Sequence, residues 1–236
     1  MTLALALALT TVSRAQWGKN IKGNGNVVTE ERSVGTYSAV SLSGWFDVEL
    51  VQGREGTITI RGESNLLEHL ITEVDNGTLE LKTEKGVNLR SSQRTGIKIT
   101  VPVESIESVN LSGSGDINGS FPIKAPDFSV RLAGSGDIDL VLEADQVKTA
   151  VSGSGDVTLS GNTGELDISV SGSGDVMAYG LEAGTIKVSV TGSADVEVTA
   201  TELLQAWISG SGDIKYRGSP AKVEAKSVGS GSVTKE

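Results

Sequence analysis

The sequence contains no cysteine, so disulfide bonds, cysteine nucleophiles and cysteine-ligated metals are excluded. Histidine occurs once, as His69, which excludes zinc sites that need two histidines and leaves any Ser-His catalytic pair dependent on this residue. His69 falls in a predicted helical turn between Glu68 and Leu70, where we expect it to face solvent. Catalysis by the common nucleophile and metal arrangements is therefore poorly supported.

Basic residues are also scarce relative to acidic ones. Lys and Arg total 20 against 30 Asp and Glu, and the formal net charge is -10. Such a surface repels phosphates, and no basic patch offsets it, so the charge disfavours nucleic acid and anionic membranes as partners. Beyond its start, the chain has no apolar stretch approaching the roughly 18 residues needed to span a bilayer.

The first residues resemble an export signal. Leu3 to Leu9 is an apolar run, and Ser13-Arg14-Ala15 is a small-x-Ala cleavage sequence. We therefore expect residues 1–15 to be a signal peptide and the protein to be exported, to the periplasm, the cell surface or the medium. The alternative is a short buried strand or helix.

Glycine is abundant, with 30 residues against 4 prolines and no Gly-X-Y period, which excludes collagen. Much of it lies in a phrase, apolar-Ser-Gly-Ser-Gly-Asp-apolar, that recurs six times with small variations. The separations between its aspartates are 21, 19, 19, 20 and 18 residues, and the aspartates are Asp116, Asp137, Asp156, Asp175, Asp195 and Asp213. A period near 20 is typical of a solenoid, whose coils would stack about 4.8 Å apart.

The predicted fold is thus all-β, a single-stranded parallel β-helix in one continuous domain over residues 37–236. Residues 16–36 have the composition of a mobile lead-in, residues 37–110 form an irregular N-terminal part, and residues 111–236 form the regular coils. In the irregular part, Leu42 to Val48 reads as a degenerate first copy of the phrase, and Asn76-Gly77 predicts a β-hairpin.

Alternation within one copy predicts which side chains point inward. Val170, Gly172, Gly174 and Val176 share one parity, whereas the serines and the aspartate of the phrase share the other. In the fifth copy Ala194 replaces the second glycine, and alanine resists a positive φ. We therefore expect the first glycine to need a positive φ and the second to be required by close approach of another backbone.

In-register stacking would align the outward residues of successive copies in columns, with neighbouring carboxylates about 5 Å apart. Their repulsion, around 1 kcal/mol per pair in water, needs compensation. Three kinds are possible: hydrogen bonds from amides of the aspartate's own turn, bound cations such as calcium, or contacts with a glycan or partner surface. The candidate site is the six aspartates with the serines Ser114, Ser135, Ser154, Ser173, Ser193 and Ser211.

The main competing class is an enzyme. Glycoside hydrolysis uses two carboxylates at such separations, but one of them must stay protonated, and near-identical copies offer no such asymmetry. Trp207 has the parity opposite to Ile208 and should point outward. It is an aromatic contact for a ligand, a cover for the flank of the solenoid or a subunit contact.

The sequence resembles the head GIN domain family of bacterial auto-transporter adhesins. The resemblance rests on residues 43–53 (SGWFDVELVQG), on Asn65-Leu66-Leu67, on Asn76-Gly77-Thr78-Leu79 and on the serial Gly-Ser-Gly-Asp phrases. It implies a pectin-lyase-like right-handed β-helix with no catalytic residues and with a role in adhesion at the cell envelope.

Together these observations predict an exported, non-enzymatic β-helix that presents a Ser/Asp ladder to carbohydrate or to an envelope protein. A polysaccharide lyase or hydrolase that uses the stacked aspartates, or a structural spacer, are the alternatives. The sequence predicts no cofactor apart from the calcium considered above, and it leaves the oligomeric state open.

Overall fold

The computed structural model describes residues 18–92 and 96–236. The predicted signal peptide, residues 1–15, lies outside the described residues. The chain forms a β-solenoid of about 7 turns with a less regular N-terminal part, which confirms the predicted fold class. In the part that the structure describes, α-helix is confined to α1 (Ser64–Leu67), which begins after Glu63 without a side-chain cap.

The regular coils consist of long strands that are interrupted at the repeated phrase. The longest strands begin directly after the aspartate of one phrase and end at the first glycine of the next. These strands and their neighbours are β10 (Ser108–Gly113), β11 (Ile117–Gly134), β12 (Ile138–Gly153), β13 (Val157–Gly172), β14 (Val176–Gly192), β15 (Val196–Gly210), β16 (Ile214–Gly218), β17 (Lys222–Gly229) and β18 (Val233–Lys235).

Successive coils pair in parallel and in register, so that Val151 lies opposite Val170, and Gly153 opposite Gly172. Inward side chains such as Ile168 (0% exposed) form the core, and each buried branched aliphatic side chain contributes roughly 1.5–3 kcal/mol. Because a slip of one residue would turn the apolar set outward, burial specifies this register. The inward and outward assignment made from parity is therefore confirmed.

The coil formed by β3 (Ala39–Gly44) and β4 (Asp47–Gln52) lies directly under the first regular copy. Leu42 pairs with Leu111 and Gly44 with Gly113, which confirms that this segment is a degenerate copy of the phrase. Phe46 takes the place of the second glycine and is fully buried in the core. This coil is not the end of the solenoid. On the side away from the regular coils, β3 pairs with Thr78–Thr83 and β4 pairs with Lys98–Val103.

Those further strands close the N-terminal end with antiparallel pairing. They are β5 (Thr57–Glu63), β6 (Leu70–Asp75), β7 (Thr78–Thr83) and β9 (Lys98–Val103). β7 continues the parallel stack from β3, and β6 folds back on β7 through the predicted hairpin at Asn76-Gly77, where both residues have positive φ. β9 pairs in parallel with β4 and antiparallel with β5.

The segment predicted as a mobile lead-in contains regular structure from Lys19 onward. β1 (Lys19–Lys22) pairs with β8 (Val87–Arg90), and β2 (Val27–Ser33) pairs with β5. Both strands are short and polar, and no alternation of apolar and polar residues predicts them in this Gly- and Asn-rich segment. Their pairing partners lie 24 or more residues away along the chain, beyond the reach of local patterns.

Candidate functional site

The two glycines of each phrase hold the turns of adjacent coils against one another. Gly172, a first glycine, has φ +134°, and a Cβ there would lie 2.3 Å from the Gly153 carbonyl oxygen. Gly174, a second glycine, is buried, and its Cβ would lie 2.0 Å from the oxygen of Gly155. The structure thus confirms the positive φ of the first position and the close approach of another backbone at the second, and it shows that close approach at the first position as well.

This close approach places the six aspartates in one column. Five of the six carboxylates accept a hydrogen bond from the backbone amide of the aspartate in the next coil, and not from their own turn as one prediction proposed. The donor amides and acceptor Oδ1 atoms are Asp137 to Asp116 (3.0 Å), Asp156 to Asp137 (3.0 Å), Asp175 to Asp156 (2.8 Å), Asp195 to Asp175 (2.7 Å) and Asp213 to Asp195 (2.8 Å).

The two ends of the column differ in their electrostatics. At the C-terminal end Ser232 donates its hydroxyl and its amide to Asp213, and these bonds lower the pKa of that carboxyl. At the N-terminal end burial raises the pKa of Asp47, and the charge of Asp116 raises it further, against the opposing effects of the Asp116 amide and Lys98. The column therefore begins with a carboxyl that protonates more readily than an ordinary aspartate.

Asp47 lines a cleft of ≈ 320 Å³ together with Glu49, Lys98 and Asp116. Lys98 Nζ lies 2.6 Å from Glu49 Oε2. The sequence predictions missed this cleft, although the alignment of Leu42 to Val48 with the later phrases already placed Asp47 at the foot of the aspartate column. Catalysis by two carboxyls requires that their environments differ, and the near-identical copies offer no such difference. It is found instead at the degenerate copy, Leu42 to Val48.

No group of three or more His, Asp or Glu side chains placed to hold a metal ion occurs within residues 18–92 and 96–236. Each Oδ1 of the column already accepts an amide hydrogen bond, so a cation would have to share it or use the other oxygen. Calcium binding by the aspartates stays a prediction. A thermal shift on adding Ca²⁺ that is lost in Asp156→Asn would support it.

The serines of the phrase lie beside the aspartates in a second column, and all six are exposed. Next to them lies a flat surface that we call the small-residue face, formed by Ala133, Ala150, Ser152, Ser169, Ser171, Ser189 and Thr191. Together with the exposed Arg131 at its N-terminal side, these outward residues line a shallow depression of ≈ 450 Å³. Side chains this short leave the strands accessible to a flat ligand.

Trp207 stands at the C-terminal side of this face. It pairs with Ser189 in the coil before and with Lys226 in the coil after, and it is 42% exposed, as its parity predicts. Thr191, Ser209 and Val228 complete a recess of ≈ 200 Å³ around it. The indole therefore borders the same surface as the small residues, and its role as a ligand contact stays a prediction.

His69 lies away from these columns. Its Nδ1 is 2.9 Å from Glu84 Oε2, and 22% of the side chain is exposed, so the histidine is partly buried rather than fully open to solvent. This hydrogen bond links the turn after α1 to the residue that follows β7. The described surroundings give it a structural role.

A single-chain parallel β-solenoid with a polar, repetitive surface is the class of protein that this fold defines. The family model described as putative auto-transporter adhesin, head GIN domain, matches residues 36–220. The chain therefore belongs to the head GIN domain family, as the resemblance of its motifs indicated. A search of curated proteins finds no match.

Solved structures share the fold. A putative adhesin from Bacteroides fragilis superposes with a TM-score of 0.86 at 23% identity, covering 92% of this chain and 100% of that one. A protein from Parabacteroides distasonis described as a putative lipid binding protein gives 0.77 at 28% identity, with the same coverage. A putative adhesin from the same species gives 0.69 at 26% identity, also with the same coverage. In the described part of the chain, no helix is long and apolar enough to cross a membrane.

Proposed function

We propose that this protein is an exported, non-enzymatic adhesion-type module that binds carbohydrate of the cell envelope or of a neighbouring surface. The observation that carries the proposal is the small-residue face with the exposed Trp207 at its edge. The family description as adhesins supports a binding role at the cell surface. The predicted signal peptide at residues 1–15 would supply the export.

The chemistry of this surface fits a sugar chain laid along the solenoid axis. Hydroxyls recur at the coil spacing of about 4.8 Å, comparable to the length of a hexopyranose ring, and each both donates and accepts hydrogen bonds. The small-residue face is flat enough for the faces of sugar rings to lie against it. The Trp207 indole offers an apolar surface with a polar N–H group at its edge. With a net charge of -10, the protein should prefer neutral glycans to acidic ones.

In this proposal the aspartate column is part of the scaffold. Its Oδ1 atoms hold the turns of adjacent coils, and the exposed serines beside it extend the binding surface. A sugar would then contact Ser154, Ser173 and Ser193 together with the small-residue face. Of the Ser/Asp ladder predicted from the sequence, the aspartates would therefore stabilise the stack and the serines would contact the ligand.

A glycan array, followed by titration of the best-binding glycan, tests the proposal. Trp207→Ala should weaken binding by about tenfold or more, because aromatic anchors commonly dominate binding energy. Met177→Ala removes a side chain of similar exposure (40%) elsewhere and should bind as the parent does. If no glycan binds, or if Trp207→Ala binds as tightly as the parent, the proposal is wrong.

A second variant tests the face independently of the tryptophan. Ser171→Arg places a long charged side chain on the small-residue face and should abolish binding without changing the melting temperature, because the position points to solvent. Glu182→Arg, an exposed substitution in β14 away from that face, should leave binding intact. Equal binding by all three proteins would locate the ligand elsewhere.

A polysaccharide-active enzyme is the second candidate, and the cleft at Asp47 is the observation in its favour. A carboxyl with a raised pKa beside Asp116 is the kind of unequal pair that glycoside hydrolysis requires. Incubating the parent protein with the array polysaccharides should release no reducing or unsaturated ends. Release that Asp47→Asn abolishes would establish an enzyme instead, and neither binding nor release would leave a structural spacer.

A further inference from the structure

The C-terminal edge of the solenoid is unpaired within the described residues. Along Lys222–Gly229, β17 pairs with β15 on one side, and no described strand pairs with its other side. An exposed edge strand presents free backbone amides and carbonyls to any chain that can pair with them. By contrast, antiparallel strands cover the N-terminal end.

Exposed apolar side chains gather at this same edge. Val228 is 63% exposed and Val223 40% exposed, and Trp207 lies in the coil before them. Val223 continues a column of inward residues whose earlier members are at most 2% exposed: Phe128, Val147, Leu166, Ile186 and Leu204. The interior of the solenoid is therefore open to water at β17.

We propose that a second copy of this chain covers this edge, with the two β17 strands paired antiparallel across a two-fold axis at Ala225. A two-fold contact uses the same surface of both copies and closes after two subunits. The interior of each solenoid would then continue into that of the other. The backbone groups of the edge would gain partners.

The charge pattern of β17 supports this register. With Ala225 opposite Ala225 of the second copy, Glu224 lies opposite Lys226 of that copy, and the symmetry repeats this pair. Side chains directly opposite in an antiparallel pair lie on the same face, so outward charges meet outward charges of opposite sign. Inside, Val223 meets Ser227, and along the outer face Lys222 meets Val228.

Neighbouring registers are worse. Centring the axis on Glu224 opposes two glutamates and sets Lys222 against Lys226, whereas centring it on Lys226 opposes two lysines. Shifts by half a residue would set inward positions opposite outward ones, which would break the continuity of the core. The Ala225 register also pairs nearly the full length of the strand.

Glu224 is already oriented at the edge. Gln205 Nε2 donates to its Oε2 at 2.7 Å, and Lys222 forms an ion pair with it. Lys226 lies next to Trp207 in the coil before, and its ammonium group makes no hydrogen bond or ion pair with the described residues. The second copy would therefore supply a partner for the cation at the centre of the edge.

Sedimentation equilibrium of the purified protein tests the inference. The parent should sediment with twice the mass of one chain, and Lys226→Glu should raise the dimer dissociation constant by about tenfold or more, because two attractive pairs become repulsive. Combining Glu224→Lys with Lys226→Glu should restore much of the affinity. Lys85→Glu makes the same charge change at an exposed position near the other end and should have no effect.

A second measurement does not depend on charge. The chain has no cysteine, so the double variant Glu224→Cys with Lys226→Cys should form a covalent dimer under mild oxidation. A parent that stays monomeric at high concentration would overturn the inference. So would mass that grows without limit, or a double charge exchange no better than Lys226→Glu.

Discussion

At the scale of the residue, the aspartate of each phrase acts on the coil that follows it. Neighbouring carboxylates repel by around 1 kcal/mol in water. A hydrogen bond from a backbone amide to a charged acceptor is worth roughly 1.5–3 kcal/mol, so the bond outweighs the repulsion. Asp195 N lies 2.7 Å from Asp175 Oδ1, within the range of a short, charge-assisted bond.

Removal of one carboxylate tests this role. Asp175→Ala leaves the Asp195 amide without its acceptor and should destabilise the fold by about 1–3 kcal/mol in chemical denaturation. Asp175→Asn keeps an oxygen at the same place and relieves repulsion, so it should cost less. Equal losses of stability in the two variants would show that the hydrogen bond from the Asp195 amide does not stabilise the fold.

Thr149 offers a second test at this scale. It occupies an inward position between Val130 and Ile168, is 2% exposed, and its Oγ1 has no hydrogen-bond partner among the described residues. Thr149→Val should therefore stabilise the protein by about 1 kcal/mol, visible as a higher melting temperature.

Thr163→Val is the matched control for that change. Thr163 is also buried, but its hydroxyl lies within hydrogen-bond distance of the carbonyl oxygens of Asp145 (3.3 Å) and Glu165 (3.0 Å), to either of which it can donate. This substitution should lower the melting temperature. A fall in both variants would mean that Thr149 has a partner, such as an internal water.

Much at this scale could be predicted from the sequence, because parity and glycine chemistry are local. The outward Trp207, the inward Val170 and the two different glycine requirements all followed from neighbours within one phrase. The amide that donates a hydrogen bond to each aspartate could not be predicted in this way. It belongs to the next coil, and whether it points at the carboxylate depends on how adjacent coils are offset from one another.

At the scale of the element, a buried carboxylate ties the N-terminal strands together. Glu63 ends β5, is 1% exposed, and accepts hydrogen bonds from Gly25 N (2.6 Å), Ser91 Oγ (2.8 Å) and Ser92 N (2.8 Å), as well as from the Ser92 hydroxyl. Although burial alone would raise its pKa, these bonds lower it to about 2. The residue thus joins the loop after β1 to the segment after β8.

The low pKa of Glu63 predicts a dependence of stability on pH. The contribution of the carboxylate is fully present above its ordinary pKa of 4.5 and is lost as the pH falls towards the folded-state pKa of about 2. Glu63→Gln should be less stable than the parent by about 1–3 kcal/mol at pH 7 in urea unfolding.

At pH 3 the difference in unfolding free energy between these two proteins should fall to about half of its value at pH 7 or less. The other carboxylates titrate in both proteins, so the difference between them isolates Glu63. A gap that stays constant with pH would contradict the assigned hydrogen bonds.

The turn between β13 and β14 depends on Gly172. Gly172→Ala should destabilise the protein severely, because φ +134° is strained for an L-residue and the new Cβ would meet the Gly153 carbonyl oxygen. Gly35→Ala provides the comparison, since its φ is also positive but nothing lies within 4 Å of its Cβ. If both variants lose the same stability in thermal melts, the close approach between coils contributes nothing.

The elements that sequence patterns predicted well are those whose signals are local. The Asn76-Gly77 hairpin and the copy at Leu42 to Val48 are examples. β1 and β2 escaped prediction because their polar sequences carry no alternation. They are held by β8, β5 and Glu63, all distant in the chain.

At the scale of the whole molecule, the proposed function assigns structure and recognition to different residues of the repeat. The interior of each coil and the aspartate column hold the stack, while the small residues and Trp207 are exposed to solvent. The two ends differ as well, since the N-terminal end is closed by antiparallel strands and β17 is open. The proposed glycan surface lies on a flank and the proposed pairing lies at an end, and Trp207 lies where the two surfaces meet.

Chemical-shift mapping of the isotope-labelled protein with the best-binding glycan locates the binding surface residue by residue. Shifts are expected at the Trp207 indole and at the amides of Ser169, Ser171, Ser189 and Thr191, with little change around Asp47. Shifts confined to the Asp47 cleft or to the N-terminal strands would contradict the proposed binding surface.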